Sequence, residues 1–248
     1  MRGSFAVKWL GMVTNSSRFH PRPGGGPFRA GRPYTGIPIF VGLRVAVYPI
    51  SLALGVLVVL AWSGIAPHDR FTWYLEVAPV LVALPLLAAT WRRFPFTPLV
   101  YALIALHAVI LMVGGHYTYA EMPLFNWLRE ALDLSRNHYD RVGHLAQGFV
   151  PALIAREILL RRSPLVPGKW LFFLVTCVCL AISAGYELVE WWVAVASGDE
   201  AVAFLATQGD IWDTQWDIFL ALLGAVSSQL LLGPWHDRQL GRLNESPP

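Results

Sequence analysis

Ionisable side chains spaced one helical turn apart occur at the ends of three long apolar segments of this chain. The pairs are Asp140/His144, Glu187/Glu190 and Asp213/Asp217. Carboxylates and an imidazole can transfer protons or hold a divalent cation such as Mg²⁺, Mn²⁺ or Zn²⁺. A charged side chain inside a bilayer costs about 3 kcal/mol or more, so it persists there only where it is paired, hydrated or used. The pairs predict a polar site and leave its substrate open.

The composition is typical of a membrane protein with several spans. Of the 248 residues, 55% are hydrophobic, 14% are charged and 11 are Trp. A soluble domain carries about 25% charged residues, and its apolar runs are shorter than the roughly 20 residues that cross a bilayer. This balance excludes an ordinary soluble globular domain. The small positive net charge of +3 is explained by membrane topology, so we expect no nucleic-acid partner.

The apolar runs predict an all-α fold, a polytopic bundle of six transmembrane helices. The runs are Leu43–Ile65, Trp73–Trp91, Thr97–His116, Val142–Leu160, Trp170–Ala196 and Asp213–Gly233. They form one predicted transmembrane domain over residues 41–235. Residues 1–40 are rich in Arg, Gly and Pro and predict a disordered basic tail. Residues 236–248 predict a short C-terminal tail.

Lys and Arg predict the orientation, because short loops rich in these residues stay in the cytoplasm. They collect before the first run, after the second, after the fourth and after the sixth, whereas the segment 197–212 has none. Both termini are therefore predicted to be cytoplasmic. In that orientation the three ionisable pairs all lie near the non-cytoplasmic face, where we expect them to share one cavity.

Helical spacing places further polar or small residues on the same faces as the pairs. Gln147 follows His144, and Ser183 precedes Glu187. Beyond Asp217 the sixth run continues through Gly224, Ala225, Ser227 and Ser228. Such small residues predict close approach of neighbouring helices.

The first hypothesis for this site is an enzyme that acts on a lipid-linked or amphiphilic substrate at the outer leaflet of the membrane. The predicted catalytic residues are His144, Glu187 and Asp217. The predicted ligands of a divalent metal are Asp140, His144, Glu187, Asp213 and Asp217. The predicted substrate-binding residues are Arg136, Arg141, Gln147, Glu190 and Gln208. Two structural explanations compete with these roles. Asp140 and Asp213 could each cap a helix N-terminus instead of binding a metal. Glu190 could be a solvated residue beside interfacial tryptophans instead of a binding residue.

Two other classes of protein remain open from the residues. A small proton-coupled transporter would titrate the same acids during its cycle, although we expect the cytoplasmic halves of the last three runs to lack matching ionisable residues. A non-catalytic accessory protein would use the polar cluster only to hold its helices together. His107, in the middle of the third run, is interpreted as a core histidine hydrogen-bonded to a neighbouring helix.

The three ionisable pairs lie in longer motifs, which are Arg136–His144, Tyr186–Trp191 and Gln208–Asp217. These motifs and their order resemble those of the YjdF-type bacterial inner-membrane proteins. The resemblance implies six membrane helices and a location in the bacterial inner membrane, and it brings no defined reaction. A looser likeness extends to VanZ-like membrane proteins, which are associated with glycopeptide resistance and the cell envelope. A shared fold does not fix the chemistry.

Overall fold

The computed structural model describes the backbone of residues 39–198 and 202–245, and the side chains of residues 47–198 and 203–243. The predicted disordered tail, residues 1–40, lies almost wholly outside the described residues, and α1 begins at Ile39. The described part of the chain is helical and contains no strand, which confirms the predicted all-α class.

Six helices of 20 residues or more correspond to the six predicted apolar runs, and two short ones lie between them. The long helices are α1 (Ile39–Ser63), α2 (Arg70–Thr90), α3 (Pro98–Tyr117), α5 (Tyr139–Arg162), α6 (Lys169–Ser197) and α8 (Asp213–Glu245). The short helices are α4 (Pro123–Ala131) and α7 (Val202–Leu205). A 3₁₀ turn, Tyr119–Glu121, follows α3.

The count of six membrane spans is not confirmed by length and composition. Among the described residues, four helices are long and apolar enough to cross a membrane: Arg70–Thr90, Pro98–Tyr117, Lys169–Ser197 and Asp213–Leu243. Val47–Ser63 is a shorter apolar helix. Helix α5 is absent from this set because its charged and polar residues make it less apolar than those four helices. Its position explains them, since α5 packs against α3, α6 and α8 and so presents little surface to lipid.

The helices form two packed groups that α3 joins. Helices α5, α6 and α8 pack on one another, and α3 packs on α5 as well as on α1 and α2. One apolar core lies among α3, α5, α6 and α8 around Leu153 and Val175, and another lies among α1, α2 and α3 around Val77 and Met112. Ionisable groups collect at the two ends of α5. We call the end at which α2, α5 and α8 begin the site end.

Local sequence signals set the starts of two helices. Asp69 accepts a hydrogen bond from the backbone N–H of Thr72 and caps α2. Thr97 caps α3 in the same way, and Pro98 follows at the first helical position, where a missing N–H costs nothing. At its far end α8 continues through Pro234 to Glu245. The predicted C-terminal tail therefore begins as helix.

Glycines allow α5 and α8 to pack backbone against backbone. A Cβ added at Gly148 of α5 would overlap the carbonyl oxygen of Ala221, and one added at Gly224 of α8 would overlap the carbonyl oxygen of Leu145. The close helix approach predicted from the small residues of the sixth run is confirmed at Gly224.

Candidate functional site

The segments that lead into α5 and α8 are clamped together at the site end. The backbone N–H of Asn137 donates to Oε1 of Gln208 at 2.9 Å, and Nε2 of Gln208 donates back to the carbonyl oxygen of Asn137 at 2.9 Å. The Asn137 side chain also donates to the carbonyl oxygen of Met122 at 3.0 Å. The amide of Gln208, a predicted substrate-binding residue, is thus engaged in holding two chain segments in register.

Two arginines lie between aspartates from both segments. Asp213 accepts from Arg136 at 2.6 Å and from Arg141 at 2.7 Å, so one carboxylate joins the two guanidinium groups. Arg141 also contacts Asp210 at 3.0 Å and forms a short ion pair with Asp217. Both arginines were predicted to bind substrate, and the structure places them in ion pairs that orient the aspartates.

His144 stands at the centre of the predicted pairs. Its Nδ1 lies 2.9 Å from Oε1 of Gln147 and 3.7 Å from a carboxylate oxygen of Glu187. Its Nε2 lies 3.4 Å from Asp140 and 3.8 Å from Asp217. Because the Gln147 oxygen only accepts hydrogen bonds, a ring proton lies on Nδ1. Nε2 faces two carboxyl groups, an arrangement that a second ring proton, a proton on one of the carboxyl groups or a cation bound between them would satisfy.

Two overlapping groups of side chains have the spacing of metal ligands. Ligand atoms of Asp140, His144 and Asp217 lie within 4.8 Å of one another, and so do those of His144, Glu187 and Glu190. Several carboxylates with one imidazole suit a hard or borderline divalent ion. The hydrogen bond from His144 to Gln147 fixes the ring orientation, as in many protein metal sites. The predicted ligand Asp213 faces the arginines instead.

Carboxyl groups at the site end outnumber the guanidinium groups beside them. Arg136 and Arg141 form ion pairs with Asp140, Asp210, Asp213 and Asp217. Glu187 and Glu190 lie beside His144 instead, and Glu76 lines the adjoining cavity. Glu187 Oε1 is buried and has no hydrogen-bond partner. Buried charges in proteins are paired, protonated or bound to metal ions. The surplus of carboxyl groups favours protons or a cation as a component of this site.

A cavity of about 220 Å³, which we call the polar cavity, lies beside His144 and is lined by some of these carboxyl groups. Its lining includes Asp140, His144, Gln147, Glu190 and Glu76. Glu76 is buried on α2 and was missed by the sequence reasoning, which considered only acids paired at one-turn spacing. A single acid inside the second apolar run was the signal that marks it, by the same cost of burying charge in lipid.

A second buried polar cluster lies at the opposite end of α5. The carboxylate of Glu157 accepts from the hydroxyl of Thr97 at 2.8 Å, from Arg161 at 2.7 Å and from Nε2 of His236 at 3.0 Å. Arg156 donates to Nδ1 of His236 at 2.9 Å, so His236 is neutral with its proton on Nε2. The expectation that the far halves of the last three runs lack ionisable residues to match those of the site is wrong for the fourth run, which contains Arg156 and Glu157. Packing of α8 on α5 brings together residues too distant in sequence to be recognised as a pair.

Comparison with known proteins agrees with this architecture. A family model described as "Predicted membrane protein (DUF2238)" matches residues 48–238. The inner membrane protein YjdF of Escherichia coli (strain K12) is 56% identical over 190 residues, which cover 77% of this chain and 91% of that relative. The chain belongs to the YjdF (DUF2238) family. The resemblance noted in the three motifs is confirmed, and the chain is an integral membrane protein of this family. No solved structure shows significant similarity to it.

Family membership extends over most of the long helices but not over the N-terminal segment. The YjdF family match begins at residue 48, inside α1, and ends at residue 238, inside α8. Both polar clusters, at the site end and at Glu157, fall within the matched region. The basic residues before α1 lie outside it.

Proposed function

We propose that this protein is an inner-membrane enzyme that holds a divalent metal ion at the site end and acts on a lipid-linked or amphiphilic substrate of the cell envelope. The observation that carries the proposal is the position of His144. Its Nε2 faces Asp140 and Asp217 inside the bundle, with ligand atoms of the three residues within 4.8 Å of one another.

Each residue of the site has a distinct part in this proposal. Asp140, His144 and Asp217 hold the ion, which would polarise a substrate oxygen or lower the pKa of a bound water. Glu187 lies on the other side of the His144 ring, and its free Oε1 is placed to accept a proton. Arg136 and Arg141 fix the aspartates, and either guanidinium can also meet an anionic head group once an aspartate is engaged elsewhere.

The proposed topology has six membrane-crossing helices, both termini in the cytoplasm and the site near the non-cytoplasmic face. It is supported by the distribution of Lys and Arg along the sequence. The location in the inner membrane is supported by the relative from Escherichia coli, which is an inner membrane protein. Helix α5 crosses as the central helix of the bundle, where its charged residues are shielded from lipid by α3, α6 and α8.

The enzyme proposal is tested by incubating the purified protein in lipid nanodiscs with a bacterial membrane lipid extract. Products are followed by untargeted mass spectrometry, with Mg²⁺, Mn²⁺ or Zn²⁺ added or with a chelator. We expect a lipid species to be converted only when a divalent ion is present, and not by the His144→Ala variant. The control is His68→Ala, which removes an exposed histidine at the same end of the bundle. Conversion that survives both chelation and His144→Ala contradicts the proposal.

A proton-coupled carrier is the second candidate, and the cluster around Glu157 favours it. Buried ionisable groups now lie at both ends of α5 and α8, as a relay across the membrane requires. Against it, the backbones of the two helices meet at Gly148 and Gly224 between the clusters, which leaves little room for water on that side.

Proton or solute uptake into liposomes that Glu187→Gln abolishes and the exposed Glu130→Gln retains would favour the carrier over the enzyme. If Ala variants at Asp140, His144, Glu187 and Asp217 each restore the wild-type phenotype to a strain that lacks the gene, the enzyme and the carrier are both excluded. The accessory role, in which the cluster only holds helices together, would then remain.

A further inference from the structure

A second, larger cavity lies beside the polar one and is lined almost entirely by hydrocarbon. It measures about 490 Å³ and lies among α1, α2 and α3, with α5 behind them. The space exists because five of the lining side chains are alanines, where larger side chains would fill it. These are Ala53, Ala83, Ala88, Ala105 and Ala108. Its volume falls in the range of about 300–1,000 Å³ that is usual for ligand cavities.

The apolar cavity adjoins the polar cavity through a shared wall. Pro79 of α2 and His107 and Leu111 of α3 line both cavities. Nε2 of His107 is buried there without a hydrogen-bond partner, so the interpretation of His107 as a core residue satisfied by a neighbouring helix is wrong for this atom. A buried ring nitrogen without a partner is costly. A polar group of a ligand at the junction would satisfy it.

The length of the apolar cavity matches one hydrocarbon chain. Its lining on α3 runs from Leu111, beside the polar cavity, to Tyr101, ten residues and about 15 Å away. This distance is about half the thickness of a bilayer's hydrocarbon core of about 30 Å. Tyr101 and Trp91, with ring centroids 6.2 Å apart, lie at the far end.

We infer that the apolar cavity binds the hydrocarbon chain of an amphiphile whose head group passes His107 and enters the polar cavity. The inference deepens the proposed function and rests on it for the chemistry at the head group. The carboxyl groups of Glu76, Asp140 and Glu190 repel a bare phosphate. A phosphate head group therefore binds there through the proposed divalent ion, whereas a hydroxyl head group needs no ion.

Photoaffinity labelling tests the chain site independently of the ion. The probe is a long-chain alcohol with a diazirine in the middle of its chain, added to the full-length protein in nanodiscs, and labelled peptides are mapped by mass spectrometry. We expect labels on α1, α2 and α3 residues that line the cavity. Ala105→Phe, which fills the cavity, is expected to reduce labelling about tenfold, equivalent to a factor of ten in binding constant.

A matched control and a second variant keep the test decisive. The control is Leu106→Phe, which changes the residue after Ala105 in α3. The Leu106 side chain is 55% exposed on the outside of the bundle, so the variant protein should be labelled as strongly as the wild type. Ala83→Phe fills the same cavity from α2 and should reduce labelling like Ala105→Phe. Labels spread over exposed lipid-facing residues and unchanged by both filling variants would overturn the inference.

A second probe separates this inference from the proposed function. The same chain with a phosphate head group should label the cavity only when a divalent ion is added. Labelling by the alcohol together with ion-independent labelling by the phosphate supports the chain site and contradicts the metal centre. If the alcohol probe labels no residue that lines the apolar cavity, the chain site is contradicted, even if the protein retains an ion.

Discussion

Gly148 of α5 and Ala221 of α8 are in backbone contact: a Cβ at position 148 would overlap the Ala221 carbonyl oxygen. The contact lies one turn beyond His144 and one turn beyond Asp217, so it sets how closely the two helices present these side chains to each other. The distance between His144 and Asp217 therefore depends on the contact between Gly148 and Ala221, because both pairs of residues join the same two helices.

The first prediction concerns this helix contact. Gly148→Ala should lower the free energy of unfolding by about 3 kcal/mol, because backbone atoms cannot move aside as a flexible side chain would. Gly185→Ala is the matched control, since nothing lies within 4 Å of a Cβ there. Within helix α6 that change should be neutral or stabilise by up to about 1 kcal/mol. Thermal unfolding in detergent measures both, and equal midpoints would contradict the backbone contact.

The cluster around Glu157 gives the second prediction. Glu157→Gln removes the charge that faces Arg161 and replaces one of the two accepting oxygens with an NH₂ group that faces other donors. We therefore expect a loss of about 3–5 kcal/mol in the free energy of unfolding. Glu130→Gln changes an exposed glutamate of α4 and should have little effect. Denaturant unfolding of the two variants is the measurement. A Glu157→Gln protein as stable as Glu130→Gln would show that the cluster does not lock α8 to α5.

The cap of α2 gives a prediction about pH. The hydrogen bond from the Thr72 backbone N–H lowers the pKa of the Asp69 carboxyl. A carboxyl whose pKa falls on folding stabilises the protein above its unfolded pKa of about 3.9, and this stabilisation is lost as the pH falls through the folded pKa. Asp69→Ala should therefore cost about 1 kcal/mol near neutral pH and less in acid. Unfolding midpoints of the wild type and the variant, measured near neutral pH and again in acid, check this. A difference in stability that is the same in both conditions would count against it.

Orientation is tested by cysteine labelling in a background where Cys177 and Cys179 are replaced by Ala. Asp133 is exposed at the site end and Arg93 is exposed at the opposite end. We expect Asp133→Cys to react with a membrane-impermeant maleimide from the non-cytoplasmic side. Arg93→Cys should react only after the membrane is permeabilised. The reverse pattern would place the site on the cytoplasmic face.

The sequence predicted those parts of the site that depend on helical periodicity and on the high cost of charge in lipid. One-turn spacing led to Asp140, His144 and Asp217, which the structure brings together. Glu76 has no ionisable partner one turn away, so the search for pairs passed over it. The contact of Glu157 with His236 depends on how α5 and α8 pack, and no local pattern records it.

The arginines illustrate a further limit of sequence reasoning. Arg136 and Arg141 were predicted to bind substrate, but residue type equally allows ion pairs with the acids. The choice depends on how the segment before α8 folds over α5. The clamp between Asn137 and Gln208 brings Asp210 and Asp213 onto the guanidinium groups, and it joins residues 71 positions apart.

The metal content of the purified protein shows whether His144 belongs to a metal centre. The full chain, carrying an affinity tag without histidine, is incubated with Mg²⁺, Mn²⁺ or Zn²⁺, dialysed and measured by mass spectrometry of the elements. We predict about one tightly held ion per chain, lost in both His144→Ala and Asp217→Asn and retained in the exposed controls His68→Ala and Asp133→Asn. A wild-type protein that retains none of the three ions, or variants that retain as much as the controls, would contradict a shared metal centre at His144.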